Sequence, residues 1–138
     1  MAKRIPYRNK SPYGWWIASY LVRFEYDDEN KRNLNRKCLA WENTIILRAA
    51  NREGAYRKAL KIGLLHNDSR AWEVKTGREG SWRFEGLTSL LPIYCKLEDG
   101  EEVLWSEYRN HSVKSVKSWV KQKKELETFD DSEPELLS

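Results

Sequence analysis

Alternating apolar and polar positions mark a strand near the start of the chain, in the stretch "GWWIASYLVRFEY". Every second position from Trp16 to Tyr26 is apolar, whereas Ser19, Arg23 and Glu25 lie between them. Because successive side chains of a strand point to opposite faces, this pattern predicts a strand with one buried face.

A second strand is predicted over "CLAWENTIILRAA", where polar residues again separate apolar ones. The polar stretch "DDENKRNLNRK" joins the two strands and is typical of a long hairpin connection, so they should pair antiparallel. One face would carry Leu39, Trp41, Ile45, Leu47 and Ala49, and the other Glu42, Thr44 and Arg48.

Helical spacing follows the second strand. Asn51 is a favourable N-cap, Glu53 suits the first turn of a helix, and Gly63 suits its end. After this helix, "AWEVK" and "SWRFEGLTSLLPIYCKL" predict further strands, with Gly86 at a bulge and Pro92 at an edge or irregularity.

A further hairpin and a second helix are predicted in the last third of the chain. "EDGEE" is a turn sequence, and "VLWSEYR" after it alternates like a strand. Ser112 is a favourable N-cap for a final helix whose lysines would face water. The inward face of that helix would carry Val113, Val116, Trp119 and Val120.

The element order β-β-α-β-β-α, with hairpins between neighbouring strands, predicts an α+β fold. We expect a mostly antiparallel sheet of about four to five strands with two helices packed on one face. Residues 14–124 would form this single α+β domain, preceded by an extended basic arm over 1–13 and followed by an acidic disordered tail over 125–138.

The formal net charge of +4 is unevenly distributed along the chain. Residues 125–138 carry six carboxylates and no basic side chain, which leaves 25 basic against 15 acidic residues in 1–124. A lysine-rich solvated surface explains this excess most simply, and an anionic partner such as nucleic acid is the alternative. The tail could then lie on the basic body and compete with that ligand. The residues predicted for anion binding are Lys3, Arg4, Arg8, Lys10, Lys114, Lys117, Lys121 and Lys124.

No catalytic or cofactor-binding pattern stands out. A thiol nucleophile would need Cys38 or Cys95 beside His66 or His111, but both cysteines lie in apolar strand sequences, where free thiols are usually inert. The chain has no phosphate-loop or dinucleotide fingerprint, and its cysteines and histidines form no zinc-binding pattern. We therefore predict a protein that is not an enzyme and that has no cofactor and no bound metal.

Aromatic residues are numerous, with seven tryptophans, seven tyrosines and three phenylalanines. In "SWRFEG", Trp82 and Phe84 would point to one face of a strand and Arg83 to the other. A platform that stacks nucleic-acid bases needs its basic groups beside the rings. Trp82 and Phe84 are therefore interpreted as core residues under a helix.

Four stretches are together similar to a family of small, uncharacterised bacterial proteins that is described only as a domain of unknown function. They are "WWIASYLVRFE", "WENTIILRAANREGAYRKALKIG", "GSWRFEGLTSLLPI" and "DGEEVLWSEYR", so the resemblance covers about Trp15 to Arg109. The family motifs that they resemble are W-Y/W-x-A-x-L, W-x-F-x-G-L and D-G-x-E-V. The resemblance implies one small α+β domain without an assigned role, and it carries over no active site.

These features together predict a cytoplasmic, non-enzymatic α+β module that binds another protein or pairs with a second copy of itself as a homodimer. The basis is the surplus of aromatic residues together with a sheet edge that is open to pairing. No apolar run approaches the ~20 residues that cross a bilayer, and no signal-peptide pattern begins the chain, so no membrane partner is expected. Any polar binding site should involve Glu42, Arg83, Glu102 and Ser106.

Two alternatives to this module stay open at the level of sequence. The first is a nucleic-acid-binding accessory protein that uses the basic arm and the lysine-rich C-terminal helix. The second is an enzyme with an unrecognised site, which only a deep pocket with several convergent polar groups would favour.

Overall fold

The computed structural model describes residues 4–132 and 136–137 of the chain. Short 3-10 helices cover Tyr7–Asn9, Lys123–Glu125 and Glu127–Phe129. The longer elements are β1 (Trp15–Tyr26), β2 (Leu39–Arg48), α1 (Arg52–Leu64), β3 (Arg70–Glu73), β4 (Glu79–Pro92) and α2 (Val113–Ser118), followed by the two-residue strand β5 (Leu136–Leu137).

The four longer strands form one antiparallel sheet, which confirms the predicted α+β class. Their order is β2-β1-β4-β3, and β5 pairs with the outer side of β3. β1 lies in the centre, where it pairs with β2 from Trp15 opposite Arg48 to Phe24 opposite Leu39, and with β4 on its other side. Helix α1 packs on one face of this sheet, which we call the core face. We call the opposite face the outer face.

The alternation predicted for β1 is confirmed by the burial of its side chains. Trp16, Ala18, Tyr20, Val22 and Phe24 are all buried, and they point to the core face. The buried side chains form two neighbouring clusters, one under α1 and one around the aromatic rings at the other end of β1. The apolar side chains at every second position of β1 therefore form the centre of the core.

Small residues on the buried side of α1 let the helix approach the sheet closely. Ala55, Ala59 and Gly63 are four residues apart, and all three are buried. A Cβ on Gly63 would lie 2.5 Å from the ring of Phe84, so the ring of Phe84 packs directly against the helix backbone. Trp82 is also buried and packs edge-to-face on Phe24, with 5.2 Å between ring centroids. The interpretation as core residues is thus confirmed for Trp82, whereas Phe84 is partly buried and packs between the core and α1.

Strand β4 contains two irregularities against β1, and one of them lies at the predicted bulge. Its pairing shifts between Ser19 and Tyr20 and again between Leu21 and Val22 of β1. Gly86, which pairs with Leu21, lies next to the second shift and has a φ of +148°, a conformation that glycine adopts without the strain of a Cβ. Bulges of this kind bend the bulged strand and increase its twist.

The predicted N-cap of α1 is present, because the Asn51 side chain accepts a hydrogen bond from the Gly54 N–H at 2.8 Å. Asn51→Ala should lower the free energy of unfolding by about 1 kcal/mol, since that N–H loses its partner. Urea denaturation followed by tryptophan fluorescence measures the change. Asn51→Asp retains an acceptor, so its free energy of unfolding should fall much less. Equal decreases in both variants would show that the cap does not contribute to stability.

The end of the predicted order is wrong in two respects. The hairpin at "EDGEE" and the strand over "VLWSEYR" do not form, and residues 101–109 have no regular structure. β4, which they would join, is irregular: its pairing with β1 shifts twice, and it ends at Pro92, which has no N–H to donate. The interpretation of Cys38 and Cys95 as strand residues is also wrong, because they lie just outside β2 and β4, as free thiols.

The second helix is also shorter and less buried than predicted. α2 spans six residues and contains no buried residue, so α1 alone packs on the core face. Val113 and Val120, predicted to face inward, have 72% and 81% of their surface exposed. Trp119 instead contacts Tyr108 and His111 in a local aromatic cluster, with ring centroids 5.0 and 5.1 Å away.

The described part of the N-terminal arm is attached to the end of β4. The Ser11 hydroxyl contacts the carbonyl oxygens of Trp15 at 2.6 Å and Ile93 at 3.0 Å. Tyr94 donates a hydrogen bond to the carbonyl oxygen of Arg8 and stacks with Tyr7. Tyr7–Asn9 form a 3-10 helix within this arm. Whether the acidic tail over 125–138 is disordered in solution stays a prediction.

Candidate interaction surface

Strand β2 is the terminal strand of the sheet, and its outer side pairs with no strand of residues 4–132 and 136–137. The Ala49 N–H donates to the Gly14 carbonyl at 2.8 Å, toward the β1 side. Because backbone direction alternates along an antiparallel strand, odd positions of β2 pair with β1 and even positions face outward. The outward-facing backbone groups belong to Ala40, Glu42, Thr44, Ile46 and Arg48.

One contact supports this direction and closes one end of the strand. The Lys58 ammonium group donates to the Arg48 carbonyl at 3.0 Å, so that carbonyl points away from β1. The pairing of β2 with β1 is continuous, without the shifts that interrupt β4. A regular edge that is available for a further strand therefore runs from Ala40 to Ile46; we call it the β2 edge.

The side chains beside the β2 edge do not protect it. Natural edge strands usually carry lysine, proline or bulges that prevent another chain from pairing with them. β2 contains none of these, and it exposes two large apolar side chains, Trp41 on the core face and Ile46 on the outer face. The ring of Trp41 packs against the ring of Trp82, with 4.4 Å between their centroids. The β2 edge thus combines unpaired backbone groups with exposed apolar surface.

Ion pairs cover the outer face near the end of β1, and we call them the charged network. Arg23 contacts Glu25 at 3.2 Å, and Arg36 contacts Glu29 at 3.3 Å. Glu29 and Arg36 belong to the connection between β1 and β2, so the network attaches this polar connection to the sheet. Its members are Arg23, Glu25, Glu29, Lys31, Arg36, Asp68, Arg83 and Glu85.

Glu25 is the centre of the charged network, with ion pairs to four basic side chains and only 11% of its own side chain exposed. Burial opposes its charge, but the hydrogen bond from Arg23 and the other basic groups outweigh burial and hold the pKa of Glu25 below its usual range. Because basic and acidic members occur in equal number, the network neutralises itself. Its evident role is to hold the fold together.

Glu25→Gln should lower the free energy of unfolding by about 2 kcal/mol at neutral pH, because basic groups around a half-enclosed site lose their charge partner. The pKa of Glu25 is lower in the folded state, so its contribution is present at neutral pH and is lost as pH falls through that pKa. Urea denaturation at neutral pH and at about pH 3 measures this. The difference between wild type and variant should shrink at low pH. A difference that is unchanged there would contradict the argument, and exposed Glu101→Gln is the control.

A small apolar pocket lies where residues 102–105 pass the end of β4. It has a volume of about 260 Å³. Glu102 is the one charged side chain among the residues that line it, and the Tyr94 hydroxyl is already bonded to Arg8. The lining is Leu91, Pro92, Tyr94, Cys95, Glu102, Val103, Leu104 and Trp105. Such a pocket lacks the convergent polar groups that would favour an enzyme.

The four residues predicted to form a polar site lie in different parts of the fold. Arg83 pairs with Asp68 and Glu25 in the charged network, so its charge is already compensated. Glu42 is exposed on β2, Glu102 lines the pocket, and Ser106 is exposed in the segment that follows. They do not form one site. The sequence predicts a sheet edge that is open to pairing but does not assign it to β2, because the unpaired groups belong to the backbone, which every sequence carries.

The predicted anion-binding residues occupy two ends of the chain. Arg4, Arg8 and Lys10 are exposed in the arm, and Lys3 lies outside the described residues. Lys114 and Lys117 are exposed on α2, and Lys124 lies in a 3-10 helix. Lys121 pairs with Glu127 at 2.7 Å, and this contact raises the pKa of Lys121 and lowers that of Glu127.

The described part of the chain contains neither a metal-binding cluster nor a membrane-spanning helix. No group of three or more histidine, cysteine, aspartate or glutamate residues there is arranged to hold a metal ion. No helix there has both the length and the apolar character that crossing a membrane requires.

Comparison with known protein families gives a match. The model of a family described as "Domain of unknown function (DUF4288)" matches residues 15–105, which include all four long strands and α1. No curated protein and no solved structure matches the chain significantly.

Proposed function

We propose that this chain, which belongs to the DUF4288 family of unknown function, is a non-enzymatic protein-interaction module that binds an extended polypeptide segment along the β2 edge. The observation that carries the proposal is the continuous row of outward-facing backbone groups from Ala40 to Ile46, beside the exposed side chains of Trp41 and Ile46. Added strands bind in this way because main-chain hydrogen bonds supply affinity while alternate side chains supply specificity.

The physical balance favours a polypeptide over a small ligand at this surface. Each new backbone hydrogen bond contributes a net ~0.5–1.5 kcal/mol, and a segment of several residues forms several of them. Contact with Trp41 and Ile46 adds the burial of apolar surface on both faces of the added strand. A small molecule would satisfy few of these groups.

Selection of peptides from a random library tests the proposal, with Thr44→Pro as the decisive variant. The Thr44 N–H faces outward, so proline there removes a donor for the added strand without removing a bond to β1. Thr44→Ala is the matched control, because both variants lose the hydroxyl contact with Ser19 but alanine retains the N–H. We expect peptides that bind wild type and Thr44→Ala and whose affinity falls at least tenfold on Thr44→Pro.

Hydrogen exchange locates the bound peptide independently. The amides of Glu42, Thr44 and Ile46 should gain protection on binding, because they become donors to the added strand. Peptides that bind Thr44→Pro as tightly as wild type, or a library that yields no binder, would contradict the proposed function.

A second candidate, a nucleic-acid-binding accessory protein, is favoured by one contact. The pair between Lys121 and Glu127 places a carboxylate of the acidic tail on the lysine-rich segment. A tail that competes with an anionic ligand would make this contact. In the full chain, Glu127→Gln should then tighten binding to a fluorescent oligonucleotide, and that binding should weaken steeply as salt rises. No binding at low salt, or a flat salt response, would contradict this candidate.

A further inference from the structure

We infer that the segment bound by the β2 edge is the β2 strand of a second copy of this chain, paired antiparallel about a two-fold axis at Ile45. The inference rests on the proposed function and specifies its partner. A homodimer of this kind joins two sheets into one continuous sheet, with the same surface used on both sides.

The charges on β2 select this register. Glu42 and Arg48 each lie three residues from Ile45, on opposite sides of it, and both belong to the outer face. An axis at Ile45 therefore places Glu42 opposite Arg48 of the second copy, and symmetry forms this pair twice. An axis at Thr44 would place Glu42 opposite Ile46, and an axis at Asn43 would place it opposite Thr44. Opposite charges on directly facing residues stabilise antiparallel strands, so the axis at Ile45 is preferred.

The backbone directions agree with the same register. An axis at Ile45 pairs even positions with even positions, and these are the positions whose N–H and C=O groups face outward. Thr44 then exchanges backbone hydrogen bonds with Ile46 of the second copy. The Arg48 carbonyl already accepts from Lys58, so Arg48 contributes its N–H, which donates to the Glu42 carbonyl of the second copy. On the core face, the two Ile45 side chains meet at the axis, where residues of a pair without hydrogen bonds approach most closely.

Apolar burial adds to these pairs. In this register the exposed Trp41 lies opposite Ala49 of the second copy, a small apolar residue. Ile46, which is 51% exposed, is covered by Thr44 of the second copy. In the single chain the Arg48 guanidinium lies over the Trp15 ring, 5.6 Å from its centroid. In the dimer Arg48 would leave this position to reach Glu42 of the second copy.

Sedimentation equilibrium with charge-reversal variants tests the inference. Wild type should show a concentration-dependent monomer–dimer equilibrium. Glu42→Arg and Arg48→Glu should each weaken the dimer by roughly tenfold, because each change replaces two attractions with two repulsions. An equimolar mixture of the two variants should restore the dimer as a heterodimer, since every introduced charge then faces its opposite. The double variant Glu42→Arg/Arg48→Glu should restore the homodimer for the same reason.

Control variants separate this result from a change in net charge or in folding. Glu101→Arg and Lys117→Glu make the same charge changes at exposed positions outside β2 and α1 and should leave the dimer unchanged. Circular dichroism and thermal unfolding confirm that each variant is folded; the altered side chains are exposed, so all are expected to fold.

The outcomes distinguish this inference from the proposed function. A wild-type chain that stays monomeric at every concentration, or a mixture of Glu42→Arg and Arg48→Glu that does not restore a dimer, overturns the inference. If library peptides still bind in a manner that Thr44→Pro abolishes, the edge binds a different polypeptide and the proposed function stands. If neither peptides nor a second copy depend on Thr44, both fail.

Discussion

Gly80→Ala should lower the free energy of unfolding by about 3 kcal/mol, a large fraction of the stability of a small domain. A Cβ at this position would lie 2.3 Å from the Glu25 carbonyl oxygen and 2.6 Å from the ring of Phe24. Backbone on one side and a buried ring on the other leave no direction in which the methyl group fits. The close approach of β4 to the end of β1 therefore requires glycine here.

Urea denaturation followed by tryptophan fluorescence measures the effect, and Gly54→Ala is the control. A Cβ at Gly54 would meet its nearest neighbour, the Asn51 side chain, at 3.4 Å, an ordinary contact. Alanine is a better helix former than glycine, so Gly54→Ala should leave stability unchanged or raise it by up to ~1 kcal/mol. A loss at Gly80 no larger than 1 kcal/mol would show that β1 and β4 separate easily at this point.

Phe24→Ala should lower the free energy of unfolding by about 4 kcal/mol, similar to the effect of Gly80→Ala. The cause differs, because Phe24→Ala leaves a cavity whereas Gly80→Ala introduces a steric clash. Phe24 is 1% exposed and packs edge-to-face against Trp82 and Tyr26, with ring centroids 5.2 and 5.0 Å away. Tyr26 follows Phe24 on β1, and Trp82 lies on β4, which backbone pairing holds against β1, so the two rings cannot collapse to fill the space.

The same denaturation experiment tests Phe24→Ala, with Leu34→Ala as the control. Leu34 lies in the connection between β1 and β2 and is 89% exposed, so its truncation should change stability by less than about 0.5 kcal/mol. Phe24→Leu should recover part of the loss because it fills part of the cavity. A Phe24→Ala variant as stable as Leu34→Ala would mean that the aromatic cluster is not the centre of the core.

The elements that were predicted correctly are those whose signal is local. β1, β2 and α1 follow from alternation, from a cap residue and from helical spacing, all within a few neighbouring positions. "VLWSEYR" carries the same alternation as β1 but forms no strand, because a strand also needs a regular partner edge. Alternation predicts which face of a strand is buried and which is exposed. It does not predict whether a neighbouring strand is present to form backbone hydrogen bonds.

Glu25 and Arg83 show the same limit for the charged positions. In the sequence they are ordinary polar residues of a half-exposed strand, and Arg83 was interpreted as a binding residue. The structure encloses Glu25 because a distant polar connection folds back and supplies Lys31 and Arg36. These contacts depend on how the connection folds back over the sheet, so no local sequence pattern predicts them.

The sheet's two ends differ, and the difference limits how far the protein can assemble. At one end β2 offers a long regular edge, whereas at the other β3 is followed by a strand of only two residues. Joining two copies through β2 uses both regular edges. It leaves outside the short β3–β5 end and the irregular strand β4, which are poor templates for further growth. Assembly through β2 should therefore stop at a closed pair, and concentrated solutions should form no filaments.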